Sequence, residues 1–490
     1  MTTTARRLDR RVGGPVGDHA RRDGVWFHPA PWIFLIATVT WLVTWVRQAP
    51  CRQTEAGQPV NAFMRLCYSD IPVLYQSNGL AQGYGVFSSL NFEYPPVIGV
   101  VVEVTRVVAR FLGAHVGPDV TDQQVVDAAY IFFGVNAVVL FGCFLVVVAT
   151  HLHLAGRQHP AAGQHLAGRG GDASVPNLAW QAVYVAAAPV VVAAGLINWD
   201  LVAVALTSLA VLLWARRRPI ASGLVTGVAI SAGIYPIVLV FALLLLCLRA
   251  GRMASWGLFA LGGWASWLAI NVPVLFFARG SWDAFWTHHL NRSADLGSIW
   301  YVLDAAGLGM QHVGVLAGLL LVMLIGPIIV LVIQAPRRPR LAQVVALVLI
   351  AVLVANRAYS PQYVLWLLPF IVLARPRTSD WAIWSFAEVL YWWAVWGHLE
   401  GALSAGGGGP DTLYWAAIAL RIGVQGWVAM QIVHDMRHPW DDPVRSGYVD
   451  DPTGGVLDHT PDARWLAGPR RERVEAGLEM VDDALIEEED

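Results

Sequence analysis

DAAYIFFGVNAVVLFGCFLVVVAT, residues 127–150, holds one charged side chain, Asp127 at its start, and is otherwise almost wholly apolar. A helix closes its own backbone hydrogen bonds, so a run of about 20 apolar residues can cross roughly 30 Å of hydrocarbon. Such runs recur near residues 31–48, 127–150, 177–196, 199–215, 219–236, 237–250, 255–277, 311–334, 341–356, 360–375, 380–398 and 412–434. Only Tyr235-Pro236 argues for dividing the stretch 219–250 in two. The composition agrees, with 56% hydrophobic and 14% charged residues and a mean hydropathy of +0.52, beyond the usual range of a soluble globular chain. The expected fold is an all-α polytopic membrane protein with about 12 transmembrane helices.

The chain contains no lysine, so arginine alone carries the positive-inside signal. Arginines cluster before the first run (Arg6, Arg7, Arg10, Arg11, Arg21, Arg22) and after later ones (Arg216, Arg217 and Arg218; Arg249 and Arg252; Arg337, Arg338 and Arg340; Arg375 and Arg377). Placing these inside makes both termini cytoplasmic and puts the loops 49–126 and 278–310 outside, in a plasma-membrane protein. The basic segment 1–30 has no small-residue cleavage site after its hydrophobic stretch, so the first helix is expected to be retained.

Residues 95–113, PPVIGVVVEVTRVVARFLG, look like a further span, yet counting them would invert every later helix against the arginine pattern. Glu103, Arg106 and Arg110 share one helical face with valines on the other, which predicts an amphipathic helix on the outer surface, with a tilted span as the alternative. The loop 151–176 is rich in Gly, His and Arg and reads as flexible. Its His151, His153, His159 and His165 have no Cys or Glu placed to complete a metal site, so solvated histidines are expected. The tail 436–490 ends in the acidic LEMVDDALIEEED and is expected to be largely disordered. Cys51 and Cys67 both fall in the first outer loop, where a disulfide would add roughly 3 kcal/mol in the chain-entropy model, and two free thiols are the alternative. Cys143 and Cys247 lie within helices.

The loop CYSDIPVLYQSNGLAQGYGVFSSLNFEYPP, residues 67–96, is too polar and too aromatic for a mere connector. Asp70 stands there among Tyr68, Tyr75, Tyr84 and Tyr94, with Asn78, Asn91 and Glu93 nearby. A carboxylate among aromatic rings at a membrane boundary is partly desolvated, which raises its basicity and suits it to take a proton from a hydroxyl. Alternatively Asp70 caps a short helix that begins at Ile71-Pro72. Asn198-Trp199-Asp200 opens a span with an acid, which implies a function, a partner or an N-cap. Trp282, Trp286, His288, His289, Arg292 and Asp295 lie in the second outer loop, followed by SIWY at 298–301. Arg357 precedes SPQYVLWLLP at 360–369. An arginine on the outer face suits a phosphate oxyanion, or else a structural ion pair. The stretch YWWAVWGH at 391–398 fits an interfacial aromatic belt.

The order of Asp70-x-x-x-x-Tyr75, YPP at 94–96, NWD at 198–200, Asn271-x-Pro273, SIWY and SPQYVLWLLP resembles the polyprenyl-phosphate-sugar-dependent glycosyltransferases of the GT-C superfamily. Within it, the order is most like the actinobacterial alpha-mannosyltransferases of glycosyltransferase family 87. The resemblance spans roughly residues 30 to 435 and makes 31–435 the GT-C-like catalytic domain. It implies transfer of a hexose, usually mannose, from a polyprenyl monophosphate to a cell-envelope lipid or glycan hydroxyl on the outer face, with inversion. Asp70 matches the family's essential acid. The resemblance also offers Tyr75, Glu93, Tyr94, Asp200, Arg292, Trp300, Arg357, Gln362 and Tyr363 as substrate-binding residues, with Arg357 and Arg292 at the departing phosphate.

There are departures. Gly233 stands in SAGIYP where many relatives have Lys, and Arg357 replaces a Lys ahead of the SPQY segment. No Gly-rich phosphate loop or D-x-D pair occurs on the outer side, so neither nucleotide, metal nor other cofactor is expected. The expected partners are the lipid donor and the acceptor, with no nucleic acid. A transporter or flippase for lipid-linked sugars, or a non-catalytic envelope subunit, are the alternative functions. Against transport, no repeat relates the two halves and the polar residues gather at the boundary.

Overall fold

A computed structural model describes residues 28–52, 55–87, 92–156, 178–403, 411–445, 450–463 and 465–466. These fold into helices, with no strand among them. The apolar runs become α1 (Pro29–Arg47), α4 (Asp122–Ala155), α5 (Pro189–Ala194), α6 (Asp200–Ala215), α7 (Pro219–Ile230), α8 (Ile237–Arg249) and α9 (Met253–Phe277). They continue as α12 (Val313–Gln334), α13 (Leu341–Ala355), α14 (Val364–Ala374), α15 (Thr378–Leu399) and α16 (Thr412–Arg437). Between them lie α2 (Asp70–Ser77), α3 (Pro96–Phe111), α10 (Arg279–Leu290) and α11 (Ile299–Leu303).

Every expected stretch is helical, but the expected twelve spans are not matched by twelve span-length helices. Among the described residues only α1, α4, α9, α12 and α16 are long and apolar enough to cross a bilayer alone. Several others run 10–17 residues, and at 1.5 Å per residue even a 15-residue helix covers only about 22 Å. The stretch 177–196 is also broken, into a 3₁₀ turn Leu178–Ala182, a single turn Val183–Ala186 and α5. Pro189 is the cause, because its ring keeps Ala188 extended at φ −66°, ψ 120°. The division of 219–250 falls at Tyr235-Pro236, between α7 and α8.

α7 and α9 meet backbone to backbone. A Cβ on Gly223 would stand 1.9 Å from the Phe259 carbonyl oxygen, and one on Gly262 would stand 2.4 Å from that of Ile220. Ser266 Oγ closes the seam with a 2.7 Å bond to the Leu224 carbonyl. Small residues permit this approach where lipid supplies little hydrophobic driving force.

The two long loops gather at one end. Glu93 pairs with His288 at 3.2 Å, and Ser281 donates to the Val86 carbonyl at 3.0 Å. Cys51 and Cys67 form a disulfide there. α3 is 16 residues long, short of a span. Its Glu103 and Arg106 pair at 2.7 Å, and Glu103 accepts the Val86 N–H at 2.6 Å. The helix buries Ile98, Val102, Thr105 and Ala109 against the fold while Val100, Val104, Val107 and Phe111 stay exposed. It therefore has two apolar faces beside the charged one, rather than one.

The arginines after the apolar runs gather at the opposite end, and there the tail departs from the expected disorder. Residues 438–445 and 450–463 fold across the helix ends. Asp442 pairs with Arg340 at 2.8 Å, both side chains almost fully buried, and Asp462 pairs with Arg249 at 3.0 Å. Leu341 N–H donates to Asp451 at 2.9 Å, and Trp214 Nε1 donates to the Gly454 carbonyl at 2.9 Å. Gly455 is required by its φ of +61° and by the Trp214 carbonyl, which stands 2.0 Å from where a Cβ would lie. Asp442 and Asp462 looked solvated because their partners are arginines far away in sequence. The acidic terminus 467–490 and most of the basic segment 1–30 lie outside the described residues, as do His159 and His165. His151 is not solvated, being buried in α4 between the Val147 and Pro369 carbonyls, each at 2.9 Å.

Candidate functional site

Asp70 is the first residue of α2, but it does not cap it. Ser69 is the cap, with its hydroxyl accepting the Ile71 N–H at 3.3 Å and facing the Ile197 carbonyl at 3.3 Å. The Asp70 N–H also donates to the Ile197 carbonyl, at 2.7 Å. This ties the loop to the turn before α6 and leaves the Asp70 carboxylate free for other work. Tyr94 donates to Asp70 Oδ2 at 3.4 Å, and the Tyr68 hydroxyl faces the same carboxylate. Burial raises the Asp70 carboxyl above the ordinary aspartate range, while the Tyr68 and Tyr94 hydroxyls pull against that rise. Burial, and then the Asp70 charge, keeps Tyr94 protonated as a donor. The arrangement is a carboxylate of enhanced basicity held by two phenols, which suits proton abstraction from a hydroxyl.

The NWD turn supplies the next wall. Trp199 Nε1 donates to Asn136 Oδ1 of α4 at 2.7 Å, and the Trp199 ring meets Tyr94 edge-on at 5.3 Å. Asn198 Oδ1 accepts the Asp200 N–H at 2.9 Å. Asn198 therefore serves the helix start and Asp200 is spared that role. The Asp70 and Asp200 carboxylates are close enough to repel one another. Trp366 faces Asp200 and lies between two stacked rings, Tyr363 at 4.0 Å and Tyr235 at 4.8 Å. Tyr363 in turn faces Arg292, whose guanidinium pairs with Asp295 at 2.7 Å. One line of neighbours thus joins Asp70, Asp200, the aromatic stack and Arg292.

A model of glycosyltransferase family 87 matches residues 94–356, just over half of the chain. The chain belongs to glycosyltransferase family 87. No curated protein matches it. The match contains Tyr94, Asp200 and Arg292, while Asp70, Tyr363 and Trp366 lie outside it and join the site through the fold.

The remaining expected residues of this glycosyltransferase are placed elsewhere. Arg357 donates to the carbonyls of His289 at 2.8 Å, Leu290 at 3.0 Å and Arg292 at 2.6 Å, so its fork closes the end of α10 and holds the backbone of Arg292. Tyr75 is fully buried against Phe132 at 4.7 Å, beneath the loop. Glu93 is an exposed partner of His288. Trp300 is buried and donates to the Ala355 carbonyl at 3.0 Å, and Gln362 is buried near the foot of the stack. Tyr68 entered the sequence reading only as a neighbour of Asp70, Tyr235 only as a helix break, and Trp366 only within SPQYVLWLLP. The i, i+3 spacing of Tyr363 and Trp366 at a helix start was the available signal. The one grouping of described residues with metal-ligand spacing, Asp450, Asp458 and His459, lies in the tail, and Arg337 and Arg445 already pair with Asp450.

Proposed function

We propose that this family 87 glycosyltransferase moves a hexose, mannose on the family resemblance, from a polyprenyl-phosphate carrier to a cell-envelope lipid or glycan hydroxyl. The observation that supports a lipid carrier is an apolar cleft of about 250 Å³ between α7, α8 and α9. Trp256, Ala260, Gly263, Trp264, Trp267 and Asn271 line it from one face of α9, a rise of about 22 Å at 1.5 Å per residue. Its other end reaches Pro95 and Pro96, the residues that follow Tyr94. An apolar slot along α9 that ends at the prolines next to Tyr94 suits an isoprenoid chain with its phosphate at the boundary, and no soluble nucleotide would need it.

In this mechanism Asp70 takes the proton of the acceptor hydroxyl as its oxygen attacks the anomeric carbon. The bond from that carbon to the phosphate oxygen breaks on the opposite face, which inverts the centre. The departing polyprenyl phosphate carries away the electron pair and gains stabilisation from Arg292. Two observations support an extracytoplasmic site in the plasma membrane: the arginines gather at the end opposite Asp70, and the Cys51–Cys67 disulfide lies at the Asp70 end, as an oxidising compartment favours.

The test is incubation of membranes containing the protein with radiolabelled decaprenyl-phosphate mannose, followed by extraction of lipid products. Labelled lipid or glycan should form without any nucleotide sugar. Transfer from a nucleotide sugar in carrier-free membranes, or none from any polyprenyl-phosphate sugar, overturns the reading.

A further inference from the structure

Among the buried polar atoms without a hydrogen bond at the Asp70 end, three come from neighbouring residues: Asp200 Oδ2, Tyr235 OH and Trp366 Nε1. They come from three separate helix starts. Asp200 opens α6, Tyr235 stands two residues before α8, and Trp366 is the third residue of α14. The Trp366 indole faces the Asp200 carboxylate outside hydrogen-bonding geometry, and its ring stacks on Tyr235 at 4.8 Å. The Tyr235 hydroxyl faces Thr207, whose own hydroxyl donates to the Ala203 carbonyl, and it also interacts with Asp200. One strong acceptor and two donors therefore share a small volume walled by aromatic rings.

Buried polar groups are almost always hydrogen-bonded, because leaving one unpaired forfeits its full desolvation cost. Local structure does not use these three. The helix start at α6 is served by Asn198, and α8 and α14 have no side-chain cap at all. Their position is specific as well. Asp70 adjoins the cluster on one side, and on the other Tyr363 leads to Arg292. Anything that passes from a phosphate at Arg292 to a hydroxyl activated by Asp70 must lie against it. The matching ligand carries adjacent hydroxyls, which both donate and accept.

We propose that Asp200, Tyr235 and Trp366 form the recognition site for the hydroxyls of the transferred sugar, with Asp200 accepting from a hydroxyl while Tyr235 and Trp366 donate. The inference rests on the lipid-linked donor of the preceding section and assigns the sugar-binding residues of that donor.

The test uses full-length purified protein in nanodiscs, titrated with decaprenyl phosphate and with decaprenyl-phosphate mannose. Asp200→Asn and Tyr235→Phe change almost no volume, and retention of the folded, monodisperse state is checked by size exclusion. Each variant should lose on the order of tenfold in affinity for the mannosylated lipid, the scale of one lost hydrogen bond, and bind the bare lipid as the parent does. Equal affinity of parent and variants for the mannosylated lipid overturns the proposal. So does an equal loss for both lipids, which marks a structural or lipid-binding role. A parent protein that binds neither lipid overturns the donor reading itself, and the sugar site with it.

Discussion

The hydroxyl of Tyr94 stands 3.4 Å from Oδ2 of Asp70, and so joins the first residue of the family-matched region to an acid that lies before it. The two prolines that follow Tyr94 border the apolar cleft. A lipid chain seated there would bring its head group towards this contact. The capping by Ser69 matters for the same reason, because it leaves the carboxylate without a structural duty at the start of α2.

Asp70→Asn should abolish transfer without unfolding the protein. An amide accepts no proton at neutral pH, so losses of roughly 10²- to 10⁴-fold are expected. Stability should move the other way. Burial raises the folded carboxyl above its unfolded value, so the stability it contributes is fully present below the unfolded value and is lost as pH rises through the folded one. At pH 7 burying this carboxyl therefore costs stability, and Asn removes that cost. Thermal unfolding in detergent should give an equal or higher midpoint for the variant. Near-normal turnover would show that Asp70 is not the base.

Tyr94→Phe should shift the pH dependence of transfer. The Tyr94 hydrogen bond favours the charged carboxylate, and without it burial acts less opposed on Asp70. The base is active when ionised, so the acid limb of the rate profile lies where Asp70 takes up its proton. That limb should move to higher pH in the variant, with less activity at neutrality. A limb that stays in place or moves to lower pH would separate Tyr94 from the base.

Asp442→Asn tests the folded tail. Burial alone would raise this carboxyl, but the Arg340 guanidinium, helped by the Val444 N–H and the Arg445 charge, holds it below the ordinary range. A depressed carboxylate contributes stability above its unfolded value and loses it as pH falls through the folded one. Removing the charge leaves Arg340 buried opposite a neutral amide, and breaking such a pair costs about 3–5 kcal/mol. The midpoint at pH 7 should fall, and the gap to the parent should narrow in strong acid. An unchanged midpoint would mean that the tail does not clasp Arg340.

The helical plan was legible because lipid imposes long apolar runs, and each expected run contains a helix. The tail was not. Asp442, Asp451 and Asp462 sit in a polar stretch that no periodicity distinguishes from a solvated one, and Asp442 is buried, and the other two half-buried, only by meeting residues far away in sequence. The candidate site divided in the same way. Asp70 could be proposed from its aromatic surroundings and from the motif order. Tyr235 and Trp366 lay in apolar runs where an aromatic ring reads as lipid-facing, and only the stack between two distant helix starts gives them a shared role.

Arg357→Lys separates a charge at the phosphate from a fork in the backbone. The guanidinium of Arg357 reaches three carbonyls at once, those of His289, Leu290 and Arg292. An ammonium keeps the charge but cannot match that planar geometry. If Arg357 acts as a positive charge towards the departing phosphate, Lys should preserve most of the turnover, and Gln should not. If it acts by holding the chain that carries Arg292, Lys and Gln should both lower kcat, by about tenfold if one well-placed contact is lost in the transition state. Arg292→Gln should then lower kcat at least as far, and combining it with Arg357→Lys should add little, because both changes remove the same contact. The bonds to the three carbonyls favour the second outcome. Full activity of Arg357→Lys would return Arg357 to the phosphate and leave Arg292 to its pair with Asp295.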